Sequence, residues 1–186
     1  YLMIREFVIT KKMNFYKNKA LNLLQKTEPN IVLSISDRTY DYVESPILWA
    51  AKKTGIPNVL TYSNQFDINS ALSFRKDPLG QILPLCSSNS HYSIYKLIAR
   101  KILKDQIIKN TFFQNIFVLM SAKKTGILSK NSWWVGNGLV DKVIVDSYQS
   151  KLKYIDNNVD SSIIEICGHP EYDVVYQSYI KRKEIK

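Results

Sequence analysis

The side chains best equipped for chemistry in this chain stand at the ends of short apolar runs. Four such runs, NIVLSIS, IPNVLTYS, KVIVDS and SSIIEICG, each break into polar residues. The first leads into Ser36, Asp37, Arg38 and Thr39, and the second into Ser63, Asn64, Gln65 and Asp67. The third ends in Asp146 and Ser147, the fourth in Gly168, His169 and Pro170. A carboxylate beside a guanidinium, as in Asp37-Arg38, can face sugar hydroxyls or a phosphate, and the planar fork of arginine suits the phosphate. The same pair also reads as a local ion pair of little energetic weight. Histidine as a residue type has an unperturbed pKa near neutrality, so His169 is suited to acid–base work. Asp37 and His169 are therefore the candidate catalytic groups, although a histidine between glycine and proline also fits a plain turn. Asp146 and Ser147 lie directly before a helical pattern, where capping is the favoured reading.

A second constellation is KNSWWVGNGLVDK. Trp133 and Trp134 precede Gly136-Asn137-Gly138, which sets aromatic surface beside a flexible turn. Stacking on a sugar or base is one use of such rings, and anchoring the loop to the core is the favoured one. Ser63, Asn64, Trp134, Asn137, Ser147 and Gly168 join Asp37, Arg38 and His169 as candidate substrate-binding residues. No Ser–His–Asp set, phosphate loop, dinucleotide fingerprint or metal-ligand spacing appears, so neither metal nor cofactor is expected. Cys86 and Cys167 are far apart and are expected as thiols, with Cys167 buried inside its apolar run.

The elements that must position these groups follow from periodicity. Residues 14–27 carry apolar side chains at helical spacing. Ile31–Ile35 is apolar without alternation and reads as a strand buried on both faces. DYVESPILWAAKKTG reads as a helix with Ser45 as N-cap, Pro46 in its first turn and Gly55 as its stop. Strands at 56–63, from 142 and before Gly168, with helices at 148–158 and 171–182, complete an alternating pattern. The fold class is α/β, a Rossmann-like parallel sheet flanked by helices. Residues 64–132 form an insertion: loop with short helical pieces, a long basic helix over about 91–109, and the aromatic-rich FFQNIFVLM. Residues 1–186 are read as one partial domain.

PNIVLSISD, AAKKTGIPNVLTYS, VDKVIVDS and IIEICGHPEYD, in that order, resemble the later part of the N-terminal domain of GT-B-fold sugar enzymes. The nearest likenesses are bacterial surface-polysaccharide glycosyltransferases and the UDP-N-acetylglucosamine 2-epimerase family. The resemblance covers about residues 28–63 and 133–180. It implies that Asp37 stands where the epimerase-like enzymes place the Asp of a Gly-Asp-Thr segment. Asp141 and Ser147 match positions around the third strand, and Gly168, Pro170 and Asp173 match the interdomain motif. Ser63-Asn64-Gln65 occupies the place of the epimerases' glutamate, which puts the transferase reading ahead of the isomerase or hydrolase reading. The resemblance further implies preceding strands with a glycine-rich turn and a following nucleotide-binding C-terminal domain, neither of which the sequence contains. The nucleotide-sugar donor would meet that missing domain. This chain would supply the acceptor-side wall, facing a sugar acceptor that includes lipid-linked ones, and would be inactive alone.

The formal charge of +10 raises two further partners. Nucleic acid is disfavoured because the basic residues are dispersed, which leaves a non-enzymatic basic binding module as the last alternative. KLIARKILKDQIIK interleaves isoleucine and leucine with lysine and arginine, and a basic amphipathic helix can lie on an anionic membrane. No apolar run is long enough to span a bilayer. The expected location is cytoplasmic, with peripheral contact at the inner face of the cell membrane.

Overall fold

The structure is a computed structural model that describes residues 2–38, 40, 43–61, 67–89, 93–168 and 170–184. Four parallel strands form its sheet in the order β1 (Val32–Ser34), β2 (Asn58–Thr61), β5 (Lys142–Val145) and β6 (Ile164–Ile166). Helix α2 (Glu44–Thr54) connects β1 to β2, and α6 (Tyr148–Asp156) connects β5 to β6. The α/β architecture read from the pattern is present, with a longer first helix, α1 (Leu2–Thr27), and a last one, α7 (Pro170–Glu184).

Strand order follows chain order, and right-handed crossovers then place the connecting helices on a single face. Register partners in a parallel ladder share a face. Leu60, Val143 and Ile164 line one row, and with Val32 and Val145 they join Ala20, Leu24, Leu48 and Tyr154 in the first core cluster. The opposite row runs Leu33, Val59, Lys142, and beside it Ile144 is partnered by Glu165. Leu33 is 63 % exposed and Ile35 71 %. The expectation of a strand buried on both faces at 31–35 is therefore corrected. Its apolar run is continuous, but only the face toward α1 and α2 is covered by described residues.

Local chemistry explains where the elements stop. Gly55 ends α2 in a left-handed conformation and returns its N–H to Ala51 O. Ser45 is not the cap of α2: the helix starts at Glu44 after Val43, and Ser45 and Pro46 lie buried in its first turn. Pro46 is tolerated there because first-turn N–H groups have no helical partner. Cys167 is exposed rather than buried, and both cysteines are free.

The insertion contains α3 (Ile68–Ser73), α4 (Ser93–Ile102), a two-stranded hairpin of β3 (Ile107–Ile108) and β4 (Thr111–Phe112), and α5 (Ile116–Thr125). The single basic helix expected over 91–109 is shorter. It ends at Ile102, passes through a 3-10 turn at Lys104–Gln106, and becomes β3. Lys109 and Asn110 take positive φ at the hairpin turn, +47° and +59°, which reverses the chain in two residues. Helix α5 carries the second core cluster, in which Phe117, Leu119 and Ile116 meet Met13 of α1, Tyr40, Ala99 and Phe112. Trp49 packs against both clusters and joins them.

Candidate functional site

Asp37 lies three residues beyond β1 and is almost fully buried. Its Oδ2 accepts the backbone N–H of Gly136 at 2.9 Å and of Gly138 at 2.7 Å. Burial pushes its carboxyl above the usual range, and the two glycine N–H groups pull the other way. A Cβ at position 138 would stand 2.7 Å from Asp37 Oδ2 and 2.9 Å from its carbonyl oxygen, so the clamp requires glycine there. Asp37 thus ties the chain after β1 to the 136–138 loop. That geometry is a structural clasp made through Oδ2, while Oδ1 is buried without a described hydrogen-bond partner.

Arg38 continues the clasp. Its Nη1 donates to Trp133 O at 2.7 Å and to Ser132 O at 3.4 Å, and its guanidinium lies 5.2 Å from the Phe113 ring centre. Burial lowers its pKa, with the Asp37 carboxylate opposing. The Arg38 carbonyl accepts from Gln114 Nε2 at 3.4 Å. Trp133 is fully buried, donates its indole N–H to Gln106 O at 2.9 Å, and meets Phe113 edge-on. It is the loop anchor. Trp134 is partly buried against the same small cluster of Ala71, Phe113 and Trp133.

The other expected site residues scatter. Asn137 uses its side-chain N–H on Asn157 O and its carbonyl on Lys130 N. Ser147 caps α6 by accepting Ser150 N–H at 3.2 Å, as its position before the helix predicts. Asp67, read as a polar strand end, caps α3 through Asn69 and Ser70 N–H. Asp141 pairs with Asn58 at the start of β2, its Oδ2 accepting both the backbone and side-chain N–H. Gly168 takes φ +75° at the turn into α7, with nothing within 4 Å of where a Cβ would stand. Thr39, Ser63, Asn64, Gln65 and His169 lie outside the described residues. Among the described residues no group of histidine, cysteine or carboxylate side chains could hold a metal ion.

What sequence reasoning missed lies on the far side of Phe113. A cavity of about 460 Å3 is lined by Phe74, Arg75, Leu83, Pro84, Cys86 and Phe113, with Gln114 and Asn115 completing its wall. Its walls are brought together by turn chemistry. Asp77 Oδ1 accepts Leu79 and Gln81 N–H, folding the chain back so that Leu83 N donates to Arg75 O at 3.0 Å. Cys86 O accepts Phe112 N–H, which fastens this return to the hairpin. The Arg75 guanidinium is 4.2 Å from the Phe113 ring centre and donates through Nε to Phe113 O. Burial lowers the Arg75 pKa, as does Arg38 nearby, while burial raises the Cys86 thiol. Two guanidiniums therefore approach one aromatic ring. Nothing in SFRKDPLG announces this, because the partners of Arg75 come from 38 residues downstream.

Three comparisons leave the site to be read from its geometry: the chain matches no protein-family model, no curated protein and no solved structure.

Proposed function

We propose that the chain is the acceptor-side portion of a glycosyltransferase-like enzyme of bacterial surface polysaccharide biosynthesis, working at the surface of an anionic membrane. What supports the transferase half is the order of the sequence motifs together with a parallel α/β sheet. The observation that carries the membrane half is the outward face of α4. Ile94 is 75 % exposed and Leu97 73 %, and Ile98 stands beside them at helical spacing. Arg100, Lys101 and Lys104 follow on exposed positions. Helix α4 is held to α1 by the Tyr95 hydroxyl donating to Glu6 Oε2 at 2.6 Å, and the first turns of α1 expose Met3, Ile4, Phe7 and Val8. Each large apolar side chain taken out of water contributes about 1.5–3 kcal/mol, and each cation near an anionic leaflet about 1 kcal/mol. A lipid-linked acceptor is reached from such a surface.

Flotation with vesicles tests the reading. The protein should float with phosphatidylglycerol vesicles and stay behind with neutral phosphatidylcholine, and Leu97→Glu with Lys101→Glu should reduce flotation about tenfold or more. Equal flotation of the variant removes the membrane half. On the transferase half, residues 1–186 alone turn over no UDP-sugar, because the donor wall belongs to a further domain; turnover by this chain alone would sink that division of labour.

A further inference from the structure

The cavity beside Phe113 combines features that a plain packing defect lacks. Among the described residues Arg75 has no carboxylate within ion-pair distance, and its guanidinium makes one hydrogen bond, through Nε, which leaves both terminal nitrogens without a described partner. An arginine held rigidly by a carbonyl and an aromatic ring, with its two outer nitrogens unused, is pre-organised for an oxyanion. Arg38 adds a second positive charge across the same ring. The N-cap of the ten-residue helix α5, Asn115, lines the cavity and brings the positive dipole end of the helix to its wall. No acidic side chain lines the space. Phe74, Leu83, Pro84, Leu85 and Phe113 make most of the remaining lining apolar. Cys86 and Gln114 complete it, with the Gln114 Oε1 buried and without a described hydrogen-bond partner, and the volume falls in the range of small-ligand sites.

We propose that this cavity binds a phosphoryl group carried on an apolar or aromatic body, the phosphoryl oxygens on the outer nitrogens of Arg75 and the body against Phe74, Leu83 and Phe113. A phosphoryl group fits better than a carboxylate because it offers more oxygens to donors arriving from several directions. The site stands apart from the outward face of α4, so either can fail while the other holds.

Phenyl phosphate, inorganic phosphate and phenol are the probes, titrated into the chain and followed by amide chemical shifts. Phenyl phosphate should saturate, moving amides of residues 74–75, 83–86 and 113–116, with phenol and inorganic phosphate each about tenfold or more weaker. Arg75→Gln should bring phenyl phosphate down to the level of phenol. Leu83→Glu, which keeps the Arg75 side chain and the residue-83 backbone N–H but adds a carboxylate to the cavity wall, should abolish phosphate-dependent binding. Equal affinity for phenol and phenyl phosphate, full affinity in Leu83→Glu, or no saturation by any probe would overturn the proposal.

Discussion

Helices α4 and α5 are both ten residues long and lie close in the chain, yet they treat their apolar side chains in opposite ways. In α5 nearly every side chain is inside: Ile116, Phe117, Leu119, Met120 and Ala122 are buried, with Asn115 capping one end and Gly126 the other. In α4 the strongest hydrophobes point out, and Lys96 points in, 2 % exposed. The Lys96 ammonium donates to Pro84 O at 2.8 Å and to Ser87 O, fixing the turn that floors the candidate cavity. A helix with two unlike faces must orient them, but the contrast between faces does not say which one meets the core. In α4 a buried cation satisfies turn carbonyls, and the apolar stripe is left for another surface.

The comparison breaks most visibly on the α5 side. Phe117→Ala removes a fully buried ring that meets Tyr95 of α4 and should cost about 3–5 kcal/mol, read as a fall in denaturant midpoint at constant slope. Retention of the midpoint would mean that α5 is not the centre of its cluster. A smaller effect is expected at alkaline pH from Tyr40, which packs in the α5 cluster with its hydroxyl bonded to Ser129 and Ser132. Burial pushes its pKa up to about 12. The unfolded phenol ionises near 10 and the folded one later, so the contribution is whole below about pH 10 and is lost as pH rises toward 12. Tyr40→Phe should flatten that part of the stability curve, on the order of 2 kcal/mol. The sharpest contrast lies within α4 itself. Lys96→Ala should cost about 1–3 kcal/mol by leaving turn carbonyls without their donor, whereas Leu97→Ala should stay within about 0.5 kcal/mol. Thermal melts of the two variants therefore should rank against hydrophobicity, and the reverse ranking would show α4 seated the other way round.

Much of the scaffold was legible because it is local. Ser147 before α6 and Gly55 after α2 act through neighbours a few residues away, and the strands at 58–61 and 142–145 are named by their own β-branched runs. The candidate site was far less legible. Asp37 stands out in the sequence as a charged group after a strand, but its partners are backbone N–H groups 99 and 101 residues on, so its role as a clasp is invisible locally. Arg75 carries no local signal, since a lone arginine before a turn is ordinary until Phe113 and Arg38 are placed against it.

The sequence by itself determined the alternation of strand and helix, the caps and stops, and the polar ends of the strands, because short-range hydrogen bonding and side-chain periodicity decide those. Tertiary structure alone decided which faces are covered. A strand order equal to chain order gathers the helices on one side, so the run at 31–35 keeps Val32 inside and leaves Leu33 and Ile35 out. It also decided which polar groups were spent. Burial demands partners, Asp37 Oδ2 and Ser147 found theirs in backbone N–H groups, and Arg75 keeps its two terminal nitrogens without a described partner beside a mostly apolar cavity.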